Sequence, residues 1–440
     1  MLNVSKRSKC ILIVLFLVVG ISTFVFYSLY VKETPQNWSM EGVREYQGQK
    51  TPNIYVLSSE HYPCEMEYLI RAIDRWYALK ERKQVNSQAL RDEFIPRVNE
   101  IDTPEAFFEV SVELFSRLDN PHTQMLVPTY GLPIKAELIA NNPVVTTIQE
   151  KHLLEKMPGK LPEPGEIIEK IDGIAAGEWL ERRSLYISSA NAHWEQHGAA
   201  EQIFVRYVFE EKIRRYTFRD KEGYLYETEL SLVLPAGDVR KALELKNVVT
   251  RVYNDIGYLA VNSLSQNTVE AFDHALKKLK DKGGLILDLR QCGGGDSRQA
   301  DEIFRRFIQS DQHVWTGVKG GDRVAKPYDD LNYKGALAVL IGPHTFSAGE
   351  GLAYDLYDAD RGLFAGSPTR GCAGGGPRTF ITDGGFMFRF PTRGTDYSAS
   401  GMIMEGEGLT PHLEIEQTWE DYQTGRDTVL NLALSKLQSD

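Results

Sequence analysis

Three observations place the 440-residue chain in the α/β class, with a helical part and a β-rich module ahead of a mostly parallel sheet. From residue 246 onward, short apolar runs alternate with stretches of helical spacing, the pattern of βαβ units. Between 64 and 118, apolar residues recur at three- and four-residue steps. Between 132 and 235, short strand-like runs flank Pro-Gly and Asp-Gly turns. A chain of this length exceeds one compact core, so two or three domains are expected.

The 21 residues from Cys10 to Tyr30 carry no charge, enough to cross a bilayer as a helix. Lys6, Arg7 and Lys9 precede them, which orients the N-terminus to the cytoplasm and the remainder outside. A cleaved signal peptide is the competing reading. Its apolar stretch is shorter and ends in an Ala-x-Ala-like site, which the chain lacks. Residues 1–31 are therefore expected to be an uncleaved single-pass anchor, with the rest on the extracytoplasmic (periplasmic) side of the cell membrane. Residues 32–60 have no periodicity and read as a tether with one short strand at 54–57.

Residues 61–127 form the helical part. Tyr68, Leu69, Ala72, Ile73 and Trp76 share one helical face, and Phe107, Phe108, Val110, Leu114 and Phe115 another. Thr103-Pro104-Glu105 supplies a cap, a first-position Pro and a first-turn acid. Asn120 before Pro121 stops the second run and leaves His122 on a loop. Residues 128–238 are the β-rich module, with strands at 143–148 and 228–233. An alternating strand at 166–171 ends in the Asp172-Gly173 turn, and a helix follows at 176–185.

Residues 239–440 are the α/β domain. Strands are expected at 256–261, 285–289, 314–318 and 338–341. Helices are expected at 269–279, 297–308 and 419–437, and 402–415 closes the sheet region. In such sheets the site lies at the carboxyl ends of the strands. Two loops meet there. One is Arg290-Gln291-Cys292-Gly293-Gly294-Gly295-Asp296, whose glycines let backbone N–H groups approach a ligand. It lacks the Lys-Ser/Thr ending of a P-loop and the full dinucleotide fingerprint. The other loop ends the run 336–341 at Gly342-Pro343 and reaches Ser347 just before a helix. Strand, tight turn, serine, helix is the geometry of an activated serine; it is also where a serine serves as a helix N-cap.

A nucleophilic serine needs a base within hydrogen-bond reach. The chain has nine histidines. His344 is near Ser347 in sequence, and spacing alone does not choose between it and His122. The net charge of −11 and the lack of a basic stripe exclude nucleic acid as a partner. Of the four cysteines, Cys10 lies in the anchor, and no Cys-x-x-Cys pair suggests zinc.

Four segments, in order, resemble the C-terminal-processing (tail-specific) serine proteases, a family that includes the tricorn core protease. Leu287-Asp288-Leu289-Arg290-Gln291-Cys292-Gly293-Gly294 is similar to the family's Asp-Leu-Arg-x-Asn-x-Gly-Gly. Thr345-Phe346-Ser347-Ala348-Gly349-Glu350 is similar to its Thr-x-Ser-Ala-x-Glu. Leu118-Asp119-Asn120-Pro121-His122-Thr123 and the run from Glu405 to His412 match more weakly. The resemblance implies a crotonase/ClpP-like α/β protease core, an N-terminal helical part and a PDZ-like domain at 128–238, behind the transmembrane helix. It implies polypeptide substrates, chosen in part by their C-termini, and no cofactor or metal.

One branch of the family uses a Ser-Lys dyad, with Lys in a turn after the serine. Here that turn reads Thr369-Arg370-Gly371-Cys372-Ala373-Gly374, without Lys, and Arg stays protonated. The tricorn-like branch uses Ser, His and Glu, which maps onto Ser347, His122 and Glu405; its second serine is replaced by Pro121. Gly294 and Ala348 are the implied oxyanion-hole donors. Cys292 and Cys372 each replace a family residue, in loops expected to border one site, and are expected to form a disulfide outside the cytoplasm; two buried thiols are the alternative. A non-catalytic binding protein of the same fold and a crotonase-type acyl-CoA enzyme are the competing functions.

Overall fold

The computed structural model describes residues 39–438 except 49–53, 55–56, 150–156, 158, 232–233, 236–237, 240–242, 244–245, 318–320, 322, 373–375, 395 and 407. The expected anchor lies outside the described residues, as do residues 55–56 of the strand expected at 54–57. No helix among the described residues is long and apolar enough to cross a membrane.

The strands Gly284–Asp288 and Leu337–Ile341 are buried along their whole length. They therefore read as unbroken apolar runs and lie in the middle of a sheet covered on both faces. That sheet has six strands, in the order Val248–Tyr253, Ile256–Val261, Gly284–Asp288, Leu337–Ile341, Leu363–Gly366 and Leu413–Glu414. The first pair is antiparallel and the rest are parallel. Alternate side chains part to the two faces. Leu285, Leu287, Val339 and Ile341 meet the helices Thr268–Leu279, Ser297–Phe304 and Ala348–Asp358. Ile286, Ala338 and Leu340 meet Val429, Leu430 and Ala433 of the helix Thr428–Leu437. Each fully buried large apolar side chain contributes roughly 1.5–3 kcal/mol.

The terminal helix expected at 419–437 is two helices, Trp419–Gln423 and Thr428–Leu437. Gly425, at φ +71°, ends the first, and the Asp427 carboxylate caps the second by accepting the Leu430 N–H at 2.9 Å. The strand expected at 314–318 sits instead at Gln312–His313, paired with Val324–Ala325.

The β-rich module is antiparallel, in the order Leu225–Ser231, Ile213–Arg219, Ile167–Ile171, Asn142–Ile148 and Ile134–Ile139. Asp172 and Gly173 take positive φ at its predicted turn. Helices Ala176–Ser184 and Ala192–Glu201 cover it through Trp179, Leu180 and Ala199.

Helices Tyr62–Trp76, Ser87–Val98 and Pro104–Ser116 do not form a core alone. They pack on a five-stranded antiparallel sheet, ordered Ser39–Met40, Val43–Glu45, Pro377–Thr382, Met387–Pro391 and Gln124–Met125. Tyr62, Phe107 and Phe115 stack with Phe380, Phe386, Phe388 and Phe390; the Phe107 and Phe386 ring centroids are 4.3 Å apart. The boundary expected between 61–127 and 239–440 is therefore crossed. The hairpin of 377–391 falls in sequence between the strands Leu363–Gly366 and Leu413–Glu414 of the α/β sheet but belongs to the helical layer in space.

Candidate active site

Ser347 stands at the N-terminus of the helix Ala348–Asp358 with φ 55° and ψ −123°, a conformation rare for a residue with a Cβ. The turn is held tightly. The Thr345 hydroxyl donates to Leu289 O at 2.9 Å, and Phe346 N–H donates to Cys292 O at 2.9 Å. The glycine loop closes over it. A Cβ on Gly294 would fall 2.8 Å from the Ser347 Cβ and 2.6 Å from Phe346 O, so only glycine fits at that approach.

The histidine comes from 225 residues away in sequence. After the helix Pro104–Ser116, Asp119 takes a left-handed φ of 48° and Asn120 starts a side-chain-closed turn. The Asn120 carbonyl Oδ1 accepts the His122 N–H at 2.8 Å, and Thr123 N–H donates to Asn120 O at 2.8 Å. Ser188 of the β-rich module also donates to Asn120 O, at 2.8 Å. This frame puts His122 Nε2 3.2 Å from Ser347 Oγ, with the imidazole stacked at 4.7 Å on Phe346.

Burial, helped by the positive Arg389 and Arg370, lowers the His122 pKa to about 3, so the ring is uncharged. Its other nitrogen, Nδ1, is 3.1 Å from Cys372 Sγ. Glu405 lies beyond that sulfur. It is buried and raised in pKa chiefly by desolvation, with Lys83 Nζ at 3.1 Å from Oε1 and Asn120 Nδ2 donating to Oε2 at 3.0 Å. Glu405 thus belongs to the cluster, while the atom against His122 Nδ1 is Cys372 Sγ.

The expected Cys292–Cys372 disulfide is absent; both thiols are free and buried. Each sulfur has another neighbour. Cys292 packs under Gly349, where a Cβ would meet its Sγ at 2.9 Å, while Cys372 faces His122. The expected donor Gly294 lies directly against the turn, close to Phe346 O, Ser347 and the Ala348 backbone nitrogen. Ala348 is the first residue of its helix, so its N–H has no intrahelical partner and remains a donor at the site. His344 does not face Ser347: its Nδ1 is 2.9 Å from Glu201 Oε1, and it borders a separate cavity of about 320 Å³ beside Glu137 and Arg290.

Three residues that sequence reasoning left without a role complete the site. Glu350 is fully buried, and desolvation raises its pKa to about 7 against four hydrogen bonds. It accepts from Ser347 N–H at 3.3 Å, Thr369 Oγ1 at 2.7 Å, Gly371 N–H at 2.7 Å and Cys372 N–H at 2.9 Å. The Ser-x-x-Glu spacing of a capping box is the sequence signal for it. Asn120 and Lys83 carry no such signal. A cavity of about 200 Å³ opens beside the pair, lined by Phe115, Pro121, Phe346, Arg370 and Arg389.

Residues 255–415 match the sequence profile described as peptidase family S41. The match spans the Ser347 turn and Glu405 but not His122. Among curated relatives, the carboxy-terminal-processing protease of Bartonella bacilliformis is 31% identical over 201 residues, 44% of this chain and 46% of that protein. The carboxyl-terminal-processing protease of Picosynechococcus sp. is 25% identical over 325 residues, 70% of this chain and 73% of that one. The chain thus aligns with about half the length of the first and nearly three quarters of the second. Mature CPAF shares the fold, with a TM-score of 0.70 at 14% identity over 87% of this chain and 98% of its own. The photosystem II D1 C-terminal processing protease gives a TM-score of 0.50 at 18% identity, over 82% and 94%.

Proposed function

We propose that the protein is a tail-specific serine peptidase that cleaves polypeptides through an acyl-enzyme on Ser347. The observation that carries this reading is the 3.2 Å approach of an uncharged, buried His122 Nε2 to Ser347 Oγ at a helix N-terminus. His122 takes the Ser347 proton as Oγ attacks the scissile carbonyl. The oxyanion that forms receives the Ala348 N–H and the positive end of the helix dipole. The Gly294 N–H, in the glycine loop packed on the Ser347 turn, is the second donor. His122 then returns its proton to the leaving amine, and water hydrolyses the ester by the same path reversed. Glu405, fixed by Lys83 and Asn120, is the negative charge that offsets the transient imidazolium.

The β-rich module supports PDZ-like recognition, in which an extended chain end adds to a sheet edge and its carboxylate is captured. On this reading, peptides with free C-termini are cleaved faster than their amidated forms at sub-saturating concentration; equal rates leave the module as scaffold. The uncharged stretch of 10–30 behind three basic residues supports a single-pass anchor, with the peptidase on the extracytoplasmic side. Protease shaving of intact cells and of spheroplasts tests that orientation.

The deciding experiment is labelling by a fluorophosphonate probe. Labelling of the wild type and its loss in Ser347→Ala supports the enzyme. An unlabelled wild type returns the non-catalytic binding protein.

A further inference from the structure

In the serine mechanism above, a carboxylate against the far nitrogen of the histidine sets its tautomer and stabilises the imidazolium. Among the described residues no carboxylate hydrogen-bonds to His122 Nδ1; the neighbouring atom is Cys372 Sγ at 3.1 Å. We propose that Cys372 is the positioning residue for His122: its sulfur accepts the Nδ1–H hydrogen bond, and its S–H donates onward to the Glu405 carboxylate. The inference rests on the peptidase reading of Ser347 and His122.

Geometry gives the sulfur little choice. Cys372 is fully buried, and its main chain is gripped on both sides. Its N–H donates to Glu350 Oε2 at 2.9 Å, and it forms an isolated antiparallel bridge with Glu405, next to the Gly406 N–H to Gly371 O bond of 2.8 Å. The thiol is therefore held 3.1 Å from His122 Nδ1, while its own main chain pairs with that of Glu405. Burial and the nearby Glu405 and Glu350 charges push its pKa well above the ordinary thiol value, so the S–H proton is retained. A protonated thiol has one donor and a weak acceptor.

Donor counting then fixes the polarity. If S–H donated to Nδ1, the imidazole would carry its proton on Nε2 and have no lone pair for Ser347. With S–H given to Glu405, sulfur accepts from Nδ1–H, and Nε2 is the free base. As the serine proton arrives, Nδ1–H, Sγ–H and the carboxylate stay in one line, and no proton need leave the thiol. The alternative of Cys372 as nucleophile fails on the same facts, since its thiol is held neutral and buried behind the histidine ring.

Three variants and one spectrum test this. Cys372→Ala is expected to lower kcat by about 10²- to 10³-fold with KM within about twofold, a smaller loss than the roughly 10⁴-fold of a serine protease whose histidine loses its tautomer, because sulfur is the weaker acceptor. Cys372→Ser, which keeps one donor and an acceptor, is expected to recover kcat to within about tenfold of wild type. Glu405→Gln is expected to lower kcat without changing KM, as removal of the terminal acceptor. In ¹⁵N-histidine spectra of the full chain, wild-type His122 is expected to carry its proton on Nδ1, and Cys372→Ala to shift it toward Nε2.

Wild-type kcat in Cys372→Ala overturns the proposal, as does a wild-type His122 protonated on Nε2. The spectrum needs no variant, so it decides even where Cys372→Ala does not fold. Fluorophosphonate labelling of the wild type and its absence in Ser347→Ala are read separately. A labelled, active Cys372→Ala sinks the thiol role alone, whereas an unlabelled wild type sinks the peptidase reading beneath it.

Discussion

The two sheets that flank the site are made in opposite ways. The six-stranded sheet that carries Ser347 takes its strands in chain order, its two middle ones buried along their whole length, and the serine follows its own strand by six residues. The five-stranded sheet behind His122 is assembled from short strands near 40, 125, 380 and 389, held by aromatic packing across some 340 residues of chain. The nucleophile is thus placed by local structure and the base by long-range assembly. Loop closure makes contacts of the second kind the slower to form. Damage remote from the chemistry should reach His122 before it reaches Ser347.

The largest expected effect removes one partner from each sheet. Ser347→Ala and His122→Ala should each lower kcat by roughly 10⁴- to 10⁶-fold, as the members of a serine–histidine unit do. His344→Ala, which removes the histidine nearer in sequence, should stay within about tenfold. A steady-state assay on one peptide ranks all three, and a larger loss in His344→Ala than in His122→Ala would break the assignment of the base.

Next comes packing. Phe388→Ala should destabilise the helical layer by about 3–5 kcal/mol. Native-state hydrogen exchange should show faster exchange in 62–116 and 377–391 while the amides of 337–341 keep their protection. Equal loosening of both sheets would erase the distinction drawn here.

The third effect is the pH dependence of stability. His122 has a folded pKa near 3 against an ordinary value of 6.5, so between these values the unfolded chain binds a proton that the folded one does not. Stability from this group is complete above pH 6.5 and falls by up to about 1.4 kcal/mol per pH unit toward pH 3. Glu350 works the other way. Its folded pKa of about 7 lies above the ordinary 4.5, so its contribution grows as pH falls through that window. His197, also lowered to about 3 by burial, adds to the His122 trend. Urea unfolding of wild type and His122→Gln at pH 6.5 and 4.5 isolates the one imidazole. Parallel slopes would show that His122 is not held neutral by burial.

The smallest expected effect is none. Both buried cysteines are free, so a reductant should leave Tm unchanged, and non-reducing peptide mapping should recover Cys292 and Cys372 as thiols. A bridge closing that loop would instead be worth around 4–5 kcal/mol in the chain-entropy model.

What the chain discloses before folding follows the same division. The buried strands around Leu287 and Val339, and the turn into Ser347, are legible because each is a contiguous pattern. His122 is legible only through the family motif, since its nearness to Ser347 comes from packing. The hairpin of 377–391 is hidden because Phe380, Phe388 and Phe390 alternate like any half-buried strand, and their partners Tyr62 and Phe107 lie three hundred residues earlier. Lys83 and Asn120 look like an ordinary surface lysine and a helix stop. The disulfide was a reasonable expectation from two cysteines in neighbouring loops, and it fails on the direction of the side chains, which spacing does not contain.

Glu350 holds the turn at 369–372 by the N–H groups of Gly371 and Cys372 and by the Thr369 hydroxyl, not by the side chain at 372. The same carboxylate anchors the backbone of Ser347. Position 372 is therefore a socket: the main chain that aims it is secured independently of what the socket holds. A fold wired in this way can exchange the side chain at 372, here a thiol against the imidazole of His122, without rebuilding the serine turn. Such an arrangement lets one scaffold retune its general base through replacement of a single side chain.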